Sequence, residues 1–293
     1  MDGKSNSEQI LEQIKEGISY TIGKQPVLDA PRLDMVLIGD DFASQKYVEF
    51  KEKAAKKVGI DGQIQRLPSN ATKEEIINLV ERLNQDKKVT GFMIQLPLPD
   101  RSMEEEVLER ILPEKDADGL TATNLGRLFQ NAKEVKYVAP ATSLAVEQLL
   151  GNYGFRGEIL KSLNVVVLGA SKIVGLPIAG LLINKGATVT VCHEYTQNEK
   201  AITKKADILI SATGIPKLVK ADWVKEGVVV VDVGLSKDPE TGEVCGDVDF
   251  DNVSPKCSHI SRVYGGVGPM TVACLMLNTF VIWARKNDIS KDL

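Results

Sequence analysis

The run Val165-Val166-Val167-Leu168 leads directly into Gly169-Ala170-Ser171-Lys172-Ile173-Val174-Gly175-Leu176-Pro177 and then into a further apolar stretch. Four apolar, mostly β-branched residues read as a buried strand. The glycines mark a turn, and the stretch beyond it reads as a helix. Strand, glycine turn and helix in that order present backbone N–H groups and the positive end of a helix to one point in space, which suits a dinucleotide pyrophosphate. The arrangement commits the chain to an α/β architecture and predicts a nucleotide cofactor.

The rest of the chain repeats the alternation. Ile10, Leu11, Ile14 and Ile18 recur at helical spacing, with Ser7 as the expected N-cap. A strand over 35–38 precedes a charged helix over 44–58 that stops at Gly59. A short strand at 64–67 follows. Thr72 is the expected cap of a helix running through Leu83, with Glu75 completing a capping box. The strand over 92–96 is halted by Pro97 and Pro99, and 103–112 reads as helical. In the second half, strands are expected at 164–168, 188–192, 207–211 and 228–233, each buried on both faces. Strands alternating with helices argue for parallel sheets. At 293 residues the chain exceeds one typical core. Two α/β domains are therefore expected: 1–145, completed by a returning C-terminal helix over 271–293, and a Rossmann-like parallel sheet with helices on both faces over 146–270.

Composition removes several function classes. The net charge is −4, with both signs interspersed and no basic run, so nucleic acid is not an expected partner. Four cysteines without C-x-x-C spacing and only two histidines, His193 and His259, predict no metal site. This cysteine usage suits a reducing, cytoplasmic compartment, with Cys192 and Cys274 as small core residues. The start of the chain lacks the apolar core of a signal peptide. The longest apolar stretch, 272–284, is short for a membrane span and is interrupted by Asn278 and Thr279, so no membrane is expected and a buried helix is.

The glycine turn departs from the common G-x-G-x-x-G: the matching positions are Gly169, Ser171 and Val174, with Gly175 one place later. Many purely structural βα turns carry two glycines. Glu194 stands about 25 residues past Gly169, beyond the next strand, where an acidic group can accept from the adenosine ribose hydroxyls and repel a 2′-phosphate. It also reads as a solvated charge at a strand end. In the first domain Tyr47 and Lys51 share a helix face. Gln95 ends an apolar strand, and Asp116 and Asp118 place two carboxylates in a turn. Ligands of open α/β sheets bind beyond the carboxyl ends of the strands. Taken singly, Lys51 reads as solvated, Tyr47 as packing and Asp118 as a turn former.

Read together and in order, Ser44-x-x-Tyr47-x-x-x-Lys51, Gly91-Phe92-Met93-Ile94-Gln95-Leu96-Pro97-Leu98-Pro99, Pro113-Glu114-Lys115-Asp116-Ala117-Asp118-Gly119, Gly169 to Pro177 and Gly265-Gly266-Val267-Gly268-Pro269-Met270-Thr271 closely resemble the bifunctional methylenetetrahydrofolate dehydrogenase/cyclohydrolase family. The resemblance covers nearly the whole chain. It implies two domains with a deep cleft between them, a homodimer, tetrahydrofolate derivatives as substrates, and two reactions. Methylenetetrahydrofolate gives a hydride to a nicotinamide, and water opens the resulting methenyl cation to formyltetrahydrofolate. It further implies Lys51 as the central cyclohydrolase residue, Gln95 as its hydrogen-bond partner, Tyr47 as a stacking platform and Asp118 as the grip on the pterin. Ser44, Leu96, Gly268 and Pro269 are expected to border the folate. The expected cofactor set is Thr142, Gly169, Ala170, Ser171, Ile173, Val174, Gly175, Pro177, His193, Glu194, Ala212, Thr213, Gly214, Val233, Gly234, Gly266 and Thr271.

The chain also departs from its family. Most members carry Arg at the position of Ala170 and Ser at that of Glu194, the pair that by resemblance holds the 2′-phosphate of NADP. Here the guanidinium is a methyl and the hydroxyl a carboxylate, so NAD is expected over the family's usual NADP, unless Lys172 or another lysine takes the phosphate. The usual Pro-Cys-Thr-Pro is Pro140-Ala141-Thr142-Ser143, and the usual Thr-Pro-Val-Pro is Ser261-Arg262-Val263-Tyr264. Three other readings compete: a dehydrogenase without hydrolysis, a non-catalytic folate- or nucleotide-binding protein, and an unrelated two-domain amino-acid or quinate-type dehydrogenase.

Overall fold

The structure, a computed structural model, describes residues 1–132 and 137–289. The chain divides into two compact units: Glu8–Ala141 with Val272–Leu293, and Met1–Ser7 with Thr142–Thr271. They are called here the Lys51 unit and the Gly169 unit.

In the Lys51 unit the order is α1 (Gly3–Lys24), β1 (Arg32–Ile38), α2 (Phe42–Val58), β2 (Asp61–Leu67), α3 (Lys73–Gln85), β3 (Gly91–Ile94), α4 (Glu104–Glu109) and α5 (Ala122–Phe129). The three strands form a parallel sheet in the order β2-β1-β3. Ala117 N and Phe92 N exchange hydrogen bonds with Phe92 O and Lys115 O at 3.2 and 2.8 Å, so the segment around Asp116 continues the sheet beyond β3. Val36, Ile94 and Phe92 pack with Ile76, Leu79, Val80 and Leu83 of α3 as one core. The Thr72–Glu75 capping box is present and starts α3 one residue later. Two local expectations fail. Ser7 lies inside α1, its hydroxyl donating back to Lys4 O at 2.7 Å, because the helix starts at Gly3. The charged helix begins at Phe42, since Asp41 takes the N-cap through Ser44 N.

The Gly169 unit continues with α6 (Ala141–Asn152), α7 (Glu158–Lys161), β4 (Asn164–Leu168), α8 (Gly175–Asn184), β5 (Thr188–Cys192), α9 (Glu199–Thr203), β6 (Ile208–Ser211), β7 (Val228–Asp232), a hairpin of β8 (Ser236–Lys237) and β9 (Val244–Cys245), α10 (Phe250–Val253) and β10 (Cys257–Ile260). Its parallel sheet runs β10-β7-β6-β4-β5. The chain reverses direction across the sheet between β4 and β6, the switch point where such sheets bind ligands. β4, β6 and β7 are buried throughout, apart from Asn164. β5 is not: Thr188 and Thr190 are exposed, because it is the edge strand and packs one face only.

The last helix, α11 (Val267–Lys286), starts four residues before the expected position and carries residues of both units. By length and composition alone the full helix, longer than the expected run of 272–284, could cross a membrane. Two-thirds of its apolar window is buried inside the protein. Its polar break has a structural use: Asn278 Nδ2 donates to Ala117 O at 3.0 Å and to Ala139 O at 2.9 Å, clamping the turn that carries Asp118. The expected last four residues, 290–293, lie outside the described residues.

Candidate active site

Buried residues of α2 are Ser44, Val48, Lys51, Ala55 and Val58, a stripe at helical spacing. Lys51 thus occupies a position that packing alone would give to an aliphatic side chain. Its Nζ donates to Gln95 Oε1 at 2.9 Å and reaches Met93 Sδ at 3.2 Å. Gln95 is held at both ends. Its N–H donates to Val36 O at 2.8 Å, carrying the ladder past β3, and its Nε2 donates to Leu96 O at 2.7 Å. Burial pushes the Lys51 ammonium below its ordinary value, with Asp118 pulling the other way. An ammonium has three donors, and a thioether is a weak acceptor. One good acceptor does not replace water, so the neutral amine gains.

The two carboxylates of the following turn have separate tasks. Asp116 is buried and accepts from Gly119 N and Thr121 N, both at 2.8 Å, and from Asn124 Nδ2 at 3.0 Å. It builds the turn. Asp118 is half-buried and takes no hydrogen bond on its carboxyl among the described residues. Burial raises its pKa, Lys51 lowers it, and Asp116 adds to the rise. Tyr47 lies half-buried one turn before Lys51, Ser44 is buried one turn further back, and Leu96 is half-buried beside Gln95. Gly119 closes the turn with φ +76, and a Cβ there would stand 2.6 Å from Ala139 C. Gly119→Ala is expected to cost roughly 2–5 kcal/mol from left-handed strain and overpacking together. Urea unfolding checks this, and an unchanged midpoint would remove the turn from the site's scaffold.

In the Gly169 unit the strand register aligns the expected cofactor residues. Leu168 pairs with Cys192 and with Ser211, and Ser211 pairs with Asp232. Gly169, His193, Ala212 and Val233 each come next, at the carboxyl edge. Ala170 and Glu194 stand one residue further, on neighbouring strand ends. Gly169 has φ +102, and a Cβ there would lie 2.2 Å from Ala212 O; a Cβ on Gly175 would lie 1.8 Å from Gly169 O. Only bare backbone fits, so the turn closes tightly on itself and on the chain after β6. Ser171, in place of a motif glycine, accepts on its Oγ from Val174 N at 3.2 Å and from Gly175 N at 3.4 Å. Ile173 and Val174 are half-buried and Pro177 is buried. His193 N donates to Thr196 Oγ1 at 2.9 Å, which turns the chain so that Glu194 is exposed. Thr213 N and Gly234 N are tied down by buried carboxylates, and Gly214 O accepts from Ser236 Oγ at 2.8 Å.

Thr142 is half-buried at the start of α6, and Thr271 Oγ1 donates to Val267 O at 3.1 Å. Gly266, Gly268 and Pro269 belong to the Gly169 unit. Gly266 meets the N-terminal segment so closely that a Cβ on Gly3 would lie 1.9 Å from Gly266 O. Arg262 stacks over Phe250, 5.4 Å from the ring centre, and Tyr264 is 72% exposed.

Residues 1–118 match the family model described as tetrahydrofolate dehydrogenase/cyclohydrolase, catalytic domain, and residues 140–287 match the one for its NAD(P)-binding domain. This chain belongs to the tetrahydrofolate dehydrogenase/cyclohydrolase family. Within the family it is 45% identical to the bifunctional protein FolD of Campylobacter concisus, over 100% of this chain and 99% of that protein. The crystal structure of the bifunctional FolD of Campylobacter jejuni superposes with a TM-score of 0.89 at 41% identity, covering 97% of this chain and 98% of that one. The FolD of Trypanosoma brucei, solved with NADP cofactor and an inhibitor, gives 0.90 at 36% identity, covering 98% and 97%. The dehydrogenase/cyclohydrolase catalytic match holds Lys51, Gln95 and Asp118, and the NAD(P)-binding match holds the glycine turn.

Sequence reasoning missed Met93, the second neighbour of the Lys51 amine, because a methionine in a buried strand looks like core. It gave no task to Asn278. A lone amide in an apolar helix was the available signal.

Proposed function

We propose that this chain oxidises methylenetetrahydrofolate to the methenyl cation with a nicotinamide cofactor and then hydrolyses the cation to formyltetrahydrofolate, in one-carbon folate metabolism. The observation that carries the reading is the buried Lys51 amine set on Gln95 Oε1 within the stretch that matches the family's catalytic domain. When bound, the nicotinamide supplies the hydride acceptor. The product cation is stabilised by its two flanking nitrogens, so the protein's part in the first step is orientation. In the second step water attacks the cationic carbon and a C–N bond breaks; one water proton is released as H⁺, and the other moves from the attacking oxygen to the leaving nitrogen. Lys51 is the group that relays this proton, and its lowered pKa suits the task. A cationic substrate beside it favours the neutral amine further. Asp118, whose carboxyl takes no hydrogen bond among the described residues, suits two adjacent N–H donors of the pterin. Tyr47, one helical turn from Lys51, offers a ring for stacking. Ser44 and Leu96 complete the folate set of the Lys51 unit.

The functional division follows the two units, with folate chemistry assigned to the Lys51 unit and the cofactor to the Gly169 unit. NAD is the assigned cofactor, on the strength of Ala170 and Glu194 at adjacent strand ends. A homodimer built on the Gly169 unit and a cytoplasmic location complete the reading. The edge strand β5, with Thr188 and Thr190 exposed, supports the first, and four cysteines outside any disulfide support the second. Sedimentation velocity at micromolar protein is expected to give a single dimer peak, and a monomer there removes that part.

The decisive experiment is an assay of the whole chain with methylenetetrahydrofolate and either NAD or NADP, followed by separate hydrolysis of methenyltetrahydrofolate. Both reactions are expected. Folate binding without turnover would replace the reading with a binding protein. Oxidation without hydrolysis would leave a dehydrogenase alone.

A further inference from the structure

Two carboxylates to which no role has been assigned lie buried together in the Gly169 unit. Asp232, the last residue of β7, is 4% exposed, and Asp247 is fully buried. Asp247 Oδ2 accepts from Ser211 Oγ at 3.0 Å and from Thr213 N at 2.6 Å. Asp232 Oδ1 accepts from Gly234 N and from Asp247 N, both at 3.1 Å, and its Oδ2 accepts from Val248 N at 3.0 Å. Asp247 Oδ1 has no partner among the described residues. Glycines make room for the pair: a Cβ on Gly234 would stand 1.9 Å from Asp247 Oδ1, and one on Gly246 would stand 2.0 Å from Asp232 Oδ2.

Neither Asp232 nor Asp247 has an ion pair among the described residues, and burial together with Asp247 pushes the Asp232 carboxyl up to about 7. Burying two such groups without a counter-charge is unfavourable. Packing alone would be served better by aliphatic side chains. What the pair holds is specific. Ser211 and Thr213 flank the turn after β6, and Gly234 lies in the turn after β7. Both turns stand at the carboxyl edge: the one after β6 is next to the glycine turn across the switch point, and the one after β7 lies beyond it.

We propose that Asp247 is a positioning residue for the nicotinamide cofactor. Through Ser211 and Thr213 N it fixes the turn after β6, and through its own N–H on Asp232 it couples that turn to the one after β7. A carboxylate suits this role because it only accepts, and each group it meets at Ser211 and Thr213 donates. The inference rests on reading these turns as the border of the cofactor.

The test is calorimetric titration of NAD into the full chain carrying Asp247→Ala, Asp247→Asn or Ser211→Ala, with hydrolysis of methenyltetrahydrofolate measured on the same samples. Hydrolysis consumes no nicotinamide, so it reports on the Lys51 unit. The NAD Kd is expected to rise roughly tenfold or more in Asp247→Ala and less in Asp247→Asn, which keeps one acceptor oxygen. Ser211→Ala, which removes one of two partners, is expected to raise it about two- to threefold. Hydrolysis should stay near the wild-type rate in all three. An unchanged NAD Kd in folded Asp247→Asn overturns the proposal, and so does a parallel loss of binding and hydrolysis. Should neither Asp247 variant fold, an unchanged Kd in Ser211→Ala overturns it equally. Failure of the functional reading itself looks different: the wild-type chain would then neither bind NAD nor hydrolyse the methenyl cation.

Discussion

Lys51→Met is expected to lower hydrolysis of methenyltetrahydrofolate by about 10²–10⁴-fold, the usual weight of a positioned acid–base group, while the folate still binds. Methionine fills the same volume on the buried stripe of α2, beside Met93, and keeps Gln95 in its ladder. Only the proton carrier is removed. Disappearance of the methenyl chromophore without any nicotinamide present reads the step directly. A wild-type rate in the variant would sink the assignment of Lys51.

The pH dependence has a definite sign. Burial holds the folded-state pKa of Lys51 below the ordinary 10.5. The acting form is the neutral amine, so hydrolysis should fall as pH drops through that lowered value, and Lys51→Met should lose this limb. Stability follows the same group. Between the lowered pKa and 10.5 the unfolded chain binds the proton and the folded chain does not. Stability therefore rises with pH across this window, and the full penalty is present below it. Lys51→Met removes the penalty, so the inactive variant is expected to melt at a higher temperature than the wild type near neutral pH. A lower melting temperature would mean that the amine contributes to packing instead of opposing it.

With NAD, kcat/KM for methylenetetrahydrofolate oxidation is expected to exceed the NADP value by roughly tenfold or more. A missing charge-assisted phosphate contact costs about 1.5–3 kcal/mol, and each 1.36 kcal/mol is tenfold. The register of β4 against β5 puts Ala170 and Glu194 at neighbouring strand ends, where the family's usual Arg and Ser would stand together. A carboxylate there adds repulsion of a 2′-phosphate, and it can accept from the ribose hydroxyls of NAD. Ala170→Arg with Glu194→Ser should reverse the preference, and each single change should move it part of the way. Lys172 is exposed on the same turn and is the competing phosphate ligand. A tenfold preference of the wild type for NADP would assign that role to a lysine.

Much of this was legible without coordinates. The apolar strands, the glycine turn and the Thr72 cap carry local signals that depend on neighbours within a few residues, and the structure has them where the sequence puts them. Element ends were less legible. The start of α2 passed to Asp41, and that of α1 moved to Gly3, because capping competes among adjacent polar residues. The solvation of β5 was not legible either, since an edge strand and a central strand share the same β-branched composition.

The sequence by itself determined the chemistry available: one lysine, one glutamine and an Asp-x-Asp turn in the order of a recognisable family, with Ala170 and Glu194 as departures. The tertiary structure decided what each group does. Lys51 reads as one lysine among many until α2 packs it against Gln95 and Met93 and strips it of water. Asp116 and Asp118 are equivalent in the sequence, yet one is consumed by three hydrogen bonds that build its turn and the other takes none on its carboxyl among the described residues. Protonation state and open hydrogen-bonding capacity depend on groups distant along the chain, and folding alone brings those together.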